Sequence, residues 1–505
     1  MTTTSASAYE QLITQLREIA LLGSTASVLH WDEQTYMPDG AAEYRAQQVS
    51  LLARLCHQQF TSARFGDLLA AAEQENAHLP ADSDAGANLR ETRREYDRAT
   101  LLPSELVEQL SHVTIMGQQA WAQARSENRF SDFQPWLEKI LALKRTEAEL
   151  VGAPGAELYD GLLDEYEPGM TAARLREIFA DLRQSLVEIV AAVGASSKTP
   201  PTHILSRPLP VSAQQSLCHL VAQAVGFDFS QGRLDVSAHP FCSFIAPGDT
   251  RMTTRYQETD ATESFFSVLH ETGHGLYDQG LAAQHFGTPV GSYLSLGIHE
   301  SQSRLWENFV GRSQPFWQWM LPRFQQEFTG LLDDIALPDW MFAINAIQPN
   351  LIRTSSDEVT YNLHIILRFE LELALLSGDL AVADLPAAWN EKMQSFLGIA
   401  PPDDAHGCLQ DIHWSGGAFG YFPTYTLGNI ISAQLYQAAS QQMPGMEEGF
   451  ARGEFQPLLG WLRENIHQHG KRYTTAELVQ RVCGGPVDSA ALITHLRSKA
   501  YSYYG

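Results

Sequence analysis

The residues with the clearest chemical potential form the stretch His270-Glu271-Thr272-Gly273-His274. On a helix, residues four positions apart project from the same face, so His270 and His274 can bind one metal ion with the geometry that zinc accepts. Glu271 lies about 100° further round the helix, where its carboxylate can reach a water molecule in an open coordination position. This arrangement is typical of a metallopeptidase. The alternative, two histidines on an ordinary helix, is disfavoured because the full pattern rarely arises by chance.

A zinc hydrolase usually has three protein ligands. The next acidic residue in a suitable setting is Glu300, which begins a second helical pattern a few tens of residues after His274. This spacing suits a site with two histidines and one glutamate. His299 and Glu307 on the same predicted helix are rival ligands, and a salt-bridged surface position for Glu300 also remains open.

An arginine further along the chain is a candidate for binding a carboxylate. Arg353 lies just outside a predicted helix that starts near Ser355, in a capping box with Glu358, and ends at Ser377. In an acidic protein, a guanidinium held in a fixed position can bind a substrate carboxylate through two parallel hydrogen bonds. Pairing with Asp357 is the competing interpretation.

A glycine-rich aromatic stretch over residues 406–429 contains three candidates for stabilising an oxyanion. Hydrolysis of an amide places negative charge on an oxygen atom, and His413, Tyr421 and Tyr425 can donate hydrogen bonds to it. The glycines permit close backbone approach and movement. An aromatic loop packed on the core is an equally good interpretation.

Helices must position these groups. A helix capped by Thr262 and ended by Gly280 would carry the histidine pair. The apolar side of this helix would consist of Phe265, Phe266, Val268, Leu269 and Leu276. Apolar spacing also predicts helices over residues 9–26, 41–59, 105–127, 133–150 and 171–193. The predicted fold is therefore mainly α.

A short β-hairpin is predicted directly before the helix with the histidine pair. Two β-like runs, residues 241–245 and 250–256, are joined by Pro247-Gly248-Asp249. The exposed edge of such a hairpin can hydrogen-bond an extended peptide and add it as a further strand. A structural hairpin with a buried His239 is the alternative interpretation.

Composition narrows the class of protein. The 505 residues include 34 Lys and Arg against 59 Asp and Glu, which gives a net charge of −25. Such a surface repels phosphate backbones and argues against nucleic-acid binding. The sequence has no apolar run long enough to cross a membrane and no secretory signal pattern. Five widely spaced cysteines without a CxxC pair indicate a reducing compartment, so we expect a cytoplasmic protein.

The length alone would allow about three domains. The candidate residues, however, are spread over half the chain, so one large body with a cleft fits better. Within residues 1–505, we expect a helical N-terminal half over about residues 1–200 and a metal-bearing half over about residues 201–505.

Together, these stretches resemble the carboxypeptidase Taq family of metallocarboxypeptidases over essentially the whole chain. The matching motifs, in chain order, are Trp31-Asp32 with Met37-Pro38, His239-Pro240-Phe241, Asp249-Thr250-Arg251-Met252-Thr253, His270 to His274, His299-Glu300-Ser301-Gln302, Ile352-Arg353 to Asp357, and Gly407-Cys408-Leu409-Gln410-Asp411-Ile412-His413-Trp414. HExxH alone is shared by many peptidases, whereas the ordered set is highly specific. One departure is Ser356, where the family has Ala. This small change at a helix start is not expected to alter the class of activity.

The resemblance implies that Glu300 is the third zinc ligand. It also implies an elongated, mostly α-helical fold with a deep central cleft, similar to that of neurolysin and angiotensin-converting enzymes, and a homodimer. The implied activity is removal of single residues from peptide C-termini with broad preference, proline being a poor substrate and Co²⁺ an accepted substitute for Zn²⁺. Arg353, and as further candidates Arg251 and His239, would bind the substrate.

The resulting hypothesis is a zinc carboxypeptidase acting on peptide substrates, with Glu271 as general base. A zinc oligoendopeptidase with the same site is the first rival, and it would differ in not requiring a free terminal carboxylate. The second rival is a non-catalytic peptide-binding protein with a structural metal. An open set of three ligands argues against this rival, because structural zinc sites usually have four.

Overall fold

The computed structural model describes residues 6–505, and helices dominate this part of the chain. The first nine helices, α1 to α9, span Ala8–Thr35, Ala42–Phe60, Ala63–Asn76, Asp84–Leu101, Ser104–Glu127, Phe130–Val151, Leu158–Leu163, Ala172–Ala195 and Val211–Val225. They include the five helices that apolar spacing predicts over this region. α1 continues to Thr35, well past its predicted end at residue 26, because the first proline that could stop it is Pro38.

A small sheet follows α9. Its strands are β1 (Gly232–Val236), β2 (Cys242–Ala246) and β3 (Asp249–Thr254), arranged in the order β1-β3-β2. β2 and β3 pair antiparallel, which confirms the predicted hairpin. β1 pairs parallel with β3 and was not predicted, because five residues are too few to show a clear alternation. His239, between β1 and β2, is exposed, so the interpretation with a buried His239 is wrong.

The remaining helices, α10 to α20, carry most of the candidate site residues. They span Ala261–Gly280, Leu296–Arg304, Gln314–Glu327, Leu337–Ile344, Thr360–Ser377, Leu385–Leu397, Pro423–Gln442, Met446–Phe450, Gln456–Asn465, Thr475–Cys483 and Ala490–Tyr504. The mainly α fold with a small sheet, as predicted, is confirmed.

α10 carries the histidine pair and lies in the largest hydrophobic core. Its predicted apolar residues are all buried: Phe265, Phe266, Val268, Leu269 and Leu276. Burying each such side chain stabilises the fold by about 1.5–3 kcal/mol, so the helix that holds the motif is anchored firmly. The helix start was predicted slightly wrongly. Asp260 is the N-cap, because its carboxylate accepts from the Glu263 backbone N–H at 3.0 Å, while Thr262 donates to Asp260.

The start of α14 also differs from the prediction. Ser355 lies in a short 3-10 turn, Arg353–Ser355, and forms no capping box with Glu358. Asp357 does the capping instead, since its Oδ1 accepts the backbone N–H of Val359 at 2.9 Å and of Thr360 at 3.1 Å. Asp is as good an N-cap residue as Ser, so the choice between Ser355 and Asp357 depends on the conformation of the turn before the helix. The predicted end at Ser377 is correct.

Two hydrophobic cores hold these elements together. The larger one draws on helices from α5 to α20, and a small one, formed by Leu12, Phe65, Leu69, Ala72 and Leu89, joins α1, α3 and α4. Within residues 6–505, every helix is too short or too polar to span a lipid bilayer.

Candidate active site

Two helices bring the histidine pair together with Glu300. α11 begins after Ser295, its N-cap, so Glu300 lies in the second turn rather than at the helix start. α10 and α11 approach each other closely at Gly273. A Cβ atom at this position would lie 2.5 Å from Ser303 Cα and 2.6 Å from the Gln302 carbonyl oxygen. The glycine inside the histidine motif is therefore needed for the helix contact that forms the site.

Three potential ligand atoms converge on one point. The Nε2 atoms of His270 and His274 lie 3.7 Å and 3.5 Å from Oε2 of Glu300. Potential ligand atoms of these three residues all lie within 4.8 Å of one another. Both imidazoles are partly exposed, whereas Glu300 is buried. The structure thus brings together the three residues predicted to bind the metal ion.

Charged groups behind His270 orient it and balance the charge. Its Nδ1 atom lies 2.9 Å from Oε2 of Glu307, on the side away from Glu300. Arg304 donates to Glu300 at 2.7 Å and to Glu307 at 3.1 Å. Burial opposes ionisation, but the Arg304 guanidinium outweighs it and lowers the pKa of Glu307 to about 2. Glu307, a rival ligand in the sequence, is therefore placed to hold the imidazole rather than the ion.

A second chain of contacts orients His274. Its Nδ1 atom lies 2.5 Å from Nδ1 of His299, whose Nε2 lies 3.2 Å from Oδ1 of Asp278. Burial, together with the neighbouring His299, lowers the pKa of His274 to about 3. The ring is therefore neutral, which is the form that binds a metal ion. His299, the other rival ligand, contacts the nitrogen of His274 that does not face Glu300.

Glu271 combines burial with a place beside the ligands. Its side chain is buried on α10. Burial raises the pKa of Glu271 to about 7, and the nearby carboxylates of Glu300 and Glu307 act in the same direction, against His270. A carboxylate with a pKa near neutrality is suited to accept and return a proton during catalysis.

Arg353 is held in a buried cluster. Its Nε and Nη2 atoms donate to Oδ1 of Asp411 at 3.0 Å and 2.8 Å, and Nη1 donates to the Tyr361 hydroxyl at 3.0 Å. Arg368 donates to the other oxygen of Asp411 at 2.7 Å. Two guanidinium groups thus share one carboxylate, which leaves the cluster positive. The predicted alternative, pairing of Arg353 with Asp357, is wrong.

The three predicted oxyanion donors are neighbours. His413 Nε2 lies 3.2 Å from the Tyr425 hydroxyl, and the ring centroids of Tyr421 and Tyr425 are 5.4 Å apart. His413 Nδ1 is buried and has no hydrogen-bond partner within residues 6–505. Burial lowers the pKa of His413 to about 4, so the ring is neutral at pH 7. A neutral imidazole carries a single N–H, on either Nδ1 or Nε2.

α16 connects Tyr425 with the predicted metal site. It begins with Pro423, carries Tyr425 in its first turn and packs against Glu300 three residues later. A Cβ atom at Gly428 would lie 2.4 Å from Glu300 Cγ and 2.6 Å from Glu300 Cβ. The helix surface at this glycine therefore sets the position of the carboxylate.

We expect Gly428→Ala to lower metal affinity about 10- to 100-fold, the range found when groups that orient a ligand are changed. The added methyl group would push the Glu300 side chain away from the histidines. Titration of the metal against a competing chelator measures the change. Gly460→Ala is the matched control, because a methyl group added at this helical glycine would meet nothing within 4 Å. Equal losses in both variants would contradict the proposed contact.

The other two predicted substrate-binding residues lie in the region of the sheet. Arg251, on β3, pairs with both oxygens of Asp249 at 2.7 Å and stacks on the Trp31 ring at 4.4 Å. His239 is exposed. Within residues 6–505, neither residue forms a hydrogen bond with the cluster of Arg353, Asp411 and Tyr361.

Sequence reasoning missed some residues that support the site. Arg304 lies four residues after Glu300, and Asp278 lies four residues after His274. Helical spacing therefore predicts that each lies on the same helix face as the nearby ligand. Tyr361 follows no such rule, because its contact with Arg353 depends on the turn before α14.

A mainly helical fold that brings two histidines and a glutamate together beside a buried carboxylate defines a metallopeptidase. The family model described as Carboxypeptidase Taq (M32) metallopeptidase matches residues 11–500. The chain belongs to this family of metallocarboxypeptidases. The family resemblance and the class of enzyme are thereby confirmed.

Named relatives cover almost the entire chain. It is 45% identical to thermostable carboxypeptidase 1 of Thermus thermophilus, over 99% of this chain and 100% of the relative. It is 36% identical to carboxypeptidase 1 of Bacillus subtilis, over 97% of each chain. A solved carboxypeptidase of the same family from Deinococcus radiodurans superposes with a TM-score of 0.95 at 41% identity, covering 99% of both chains.

Proposed function

We propose that the protein is a zinc-dependent carboxypeptidase that removes single residues from the C-termini of peptides with broad preference. The observation that carries this proposal is the convergence of His270, His274 and Glu300 beside Glu271. The buried Arg353 supplies the second requirement, a fixed positive group for the terminal carboxylate of the substrate.

The ligand set fits zinc. Bonds of about 2.0–2.2 Å to nitrogen and oxygen at tetrahedral angles separate neighbouring ligand atoms by about 3.4 Å. The corresponding distances are 3.5 Å from His274 and 3.7 Å from His270 to Glu300. When bound, Zn²⁺ would act as a Lewis acid and lower the pKa of a coordinated water towards about 7. Co²⁺ binds the same nitrogen and oxygen donors, and we propose it as an accepted substitute.

Residues of the chain would move the proton and stabilise charge. Glu271 accepts a proton from the attacking water and returns it to the leaving amine. His413, Tyr421 and Tyr425 are the candidates from which a hydrogen-bond donor to the oxyanion comes. Support comes from the contact of His413 Nε2 with the Tyr425 hydroxyl at 3.2 Å, which brings two of the candidates together.

Arg353 would hold the terminal carboxylate of the peptide. A guanidinium has five N–H donors. Asp411 and Tyr361 use three of them. Within residues 6–505, the guanidinium of Arg353 forms no other hydrogen bond. Nη1 and Nη2 therefore each have one N–H available for a ligand. Arg251 and His239 stay as further candidate substrate-binding residues.

We expect Arg353→Lys to reduce kcat/KM for free-acid peptides about 10- to 150-fold, the effect of one lost charge-assisted hydrogen bond. Lysine keeps the charge beside Asp411 but loses the planar fork. Rates on free-acid and amidated versions of one peptide give the readout, and only the former should fall. Arg207→Lys, which alters a surface pair with Asp334, is the control. Equal losses on both peptides would assign carboxylate recognition to another residue, such as Arg251.

The reaction itself is tested by timed digestion of mixed free-acid and amidated peptides, read by mass spectrometry with and without a chelator. Stepwise loss from the free-acid end that chelation abolishes is the expected result. Internal cleavage of amidated peptides would instead support the oligoendopeptidase. Absence of any cleavage by metal-loaded protein would support the non-catalytic peptide-binding protein.

We also propose a cytoplasmic homodimer. All five cysteines are free, in agreement with a reducing compartment. Light scattering coupled to size exclusion tests the dimer, and a monomer at micromolar concentration would contradict it. Fractionation of the source cells tests the location.

A further inference from the structure

A buried carboxylate outside the metal centre lies behind the proposed oxyanion donors. Glu372, on α14, is completely buried. Its Oε1 accepts from Trp414 Nε1 at 2.8 Å. Its Oε2 accepts from the Tyr159 hydroxyl at 2.7 Å and from the Gly420 backbone N–H at 3.1 Å. All three partners donate, so the carboxylate accepts hydrogen bonds on both of its oxygens.

Two of these donors mark the ends of one loop. Trp414 directly follows His413, and Gly420 directly precedes Tyr421, which lies two residues before α16 begins. Each oxygen of Glu372 thus holds one end of the loop over residues 414–420. The ring centroids of His413 and Tyr421, which flank the loop, lie 5.5 Å apart. The carboxylate therefore acts as a bridge that keeps these two rings together.

Burying the Glu372 carboxylate costs free energy that packing alone would not require. Within residues 6–505, no lysine, arginine or histidine forms an ion pair with Glu372. Arg368, one turn earlier on α14, is engaged with Asp411 and Gln410. Burial raises the pKa of Glu372 to about 7. The charge of Arg368 favours the ionised form only weakly compared with the effect of burial. Because a buried carboxylate without an ion-pair partner is costly, an apolar residue would serve better if the position only filled space.

We propose that Glu372 is a positioning residue for the carboxypeptidase reaction, since its carboxylate bridges Trp414 and Gly420 and so sets His413 and Tyr421 side by side. This inference rests on the proposed function, in which His413 and Tyr421 are among the candidate donors to the reacting oxygen. Glu372 acts through the loop and not by contact with the metal ligands.

Glu372→Gln tests the bridge with little change in volume. Glutamine keeps one accepting oxygen, but its NH₂ group faces a donor, so one end of the loop loses its acceptor. We expect kcat to fall about tenfold, the low end for one lost charged hydrogen bond, with little change in KM. Trp414→Phe keeps an aromatic ring but removes Nε1, and we expect the same direction of change. This second variant keeps the inference testable if Glu372→Gln does not fold.

Glu358→Gln is the matched control. Glu358 lies on the segment entering α14 and its side chain is only 7% exposed, but it pairs with Lys499 and His495 of α20 and not with the loop. We expect this variant to lose thermal stability and to keep its kcat.

The decisive measurement repeats Glu372→Gln in an enzyme that already carries His413→Ala and Tyr421→Phe. If Glu372 works by positioning these rings, the added change should alter kcat less than about twofold. A full tenfold fall in that background would overturn the inference, as would an unchanged kcat with a lowered Tm in the single variant. If His413→Ala and Tyr421→Phe themselves leave kcat unchanged, the donor roles in the proposed function fail, and this inference fails with them.

Discussion

Glu271→Gln is expected to lower kcat about 100- to 10,000-fold, the usual contribution of a positioned general base. Glutamine has nearly the same shape but cannot accept a proton. Because Glu271 is not one of the converging ligands, the metal content of the variant should equal that of the wild type. Steady-state kinetics and metal analysis of the same sample provide both measurements.

A control is available on the same helix. Glu263 lies two turns before Glu271 and pairs with Arg255 at the partly exposed start of α10. Glu263→Gln should therefore leave kcat close to the wild-type value. A Glu271→Gln enzyme that holds its metal and hydrolyses peptides at the wild-type rate would refute the proton-transfer role.

Glu300→Gln is expected to abolish both stable metal binding and peptide hydrolysis, because it removes the anionic member of a three-ligand set. Glu307→Gln should only weaken metal affinity, by about 10- to 100-fold, since Glu307 contacts the far nitrogen of His270. The two substitutions are of the same type and lie seven residues apart, on α11 and on the π-helical turn Leu305–Val310 that continues it. Metal content after dialysis and titration against a chelator measure the two affinities.

The order of these two effects identifies the third ligand. If Glu307→Gln lost the metal and Glu300→Gln retained it, the assignment from the structure would be reversed. Peptide hydrolysis by each variant at saturating metal then separates weakened binding from a lost reaction.

Much of the site could be predicted from the sequence because helical geometry is local. The four-residue spacing of His270 and His274 places both rings on one face wherever the helix lies in the fold. The buried side of α10 follows from the same rule. Glu300 is different, since its spacing left His299 and Glu307 as rivals. Choosing between them requires the side-chain directions of α11, which depend on its packing against Gly273.

Other features depend on contacts between distant parts of the chain. Arg353 pairs with Asp411, 58 residues later, and no local pattern distinguishes this partner from Asp357. The helix starts at Asp260 and after Asp357 were misplaced by a few residues, because several good capping residues stand close together in each segment. β1 was missed because its five residues show no clear alternation and its partner, β3, comes later in the chain, after β2.

The contact between α16 and Glu300 has a mechanical consequence. Tyr425 and Gly428 lie on one helix, separated by about 4.5 Å along its axis at the usual rise per residue. A rigid-body tilt of this helix carries the phenol and the surface that supports the carboxylate in the same direction. Motion of α16 as a rigid body therefore preserves the spacing between the phenol of Tyr425 and the surface at Gly428, an advantage that a phenol on an independent flexible segment would lack.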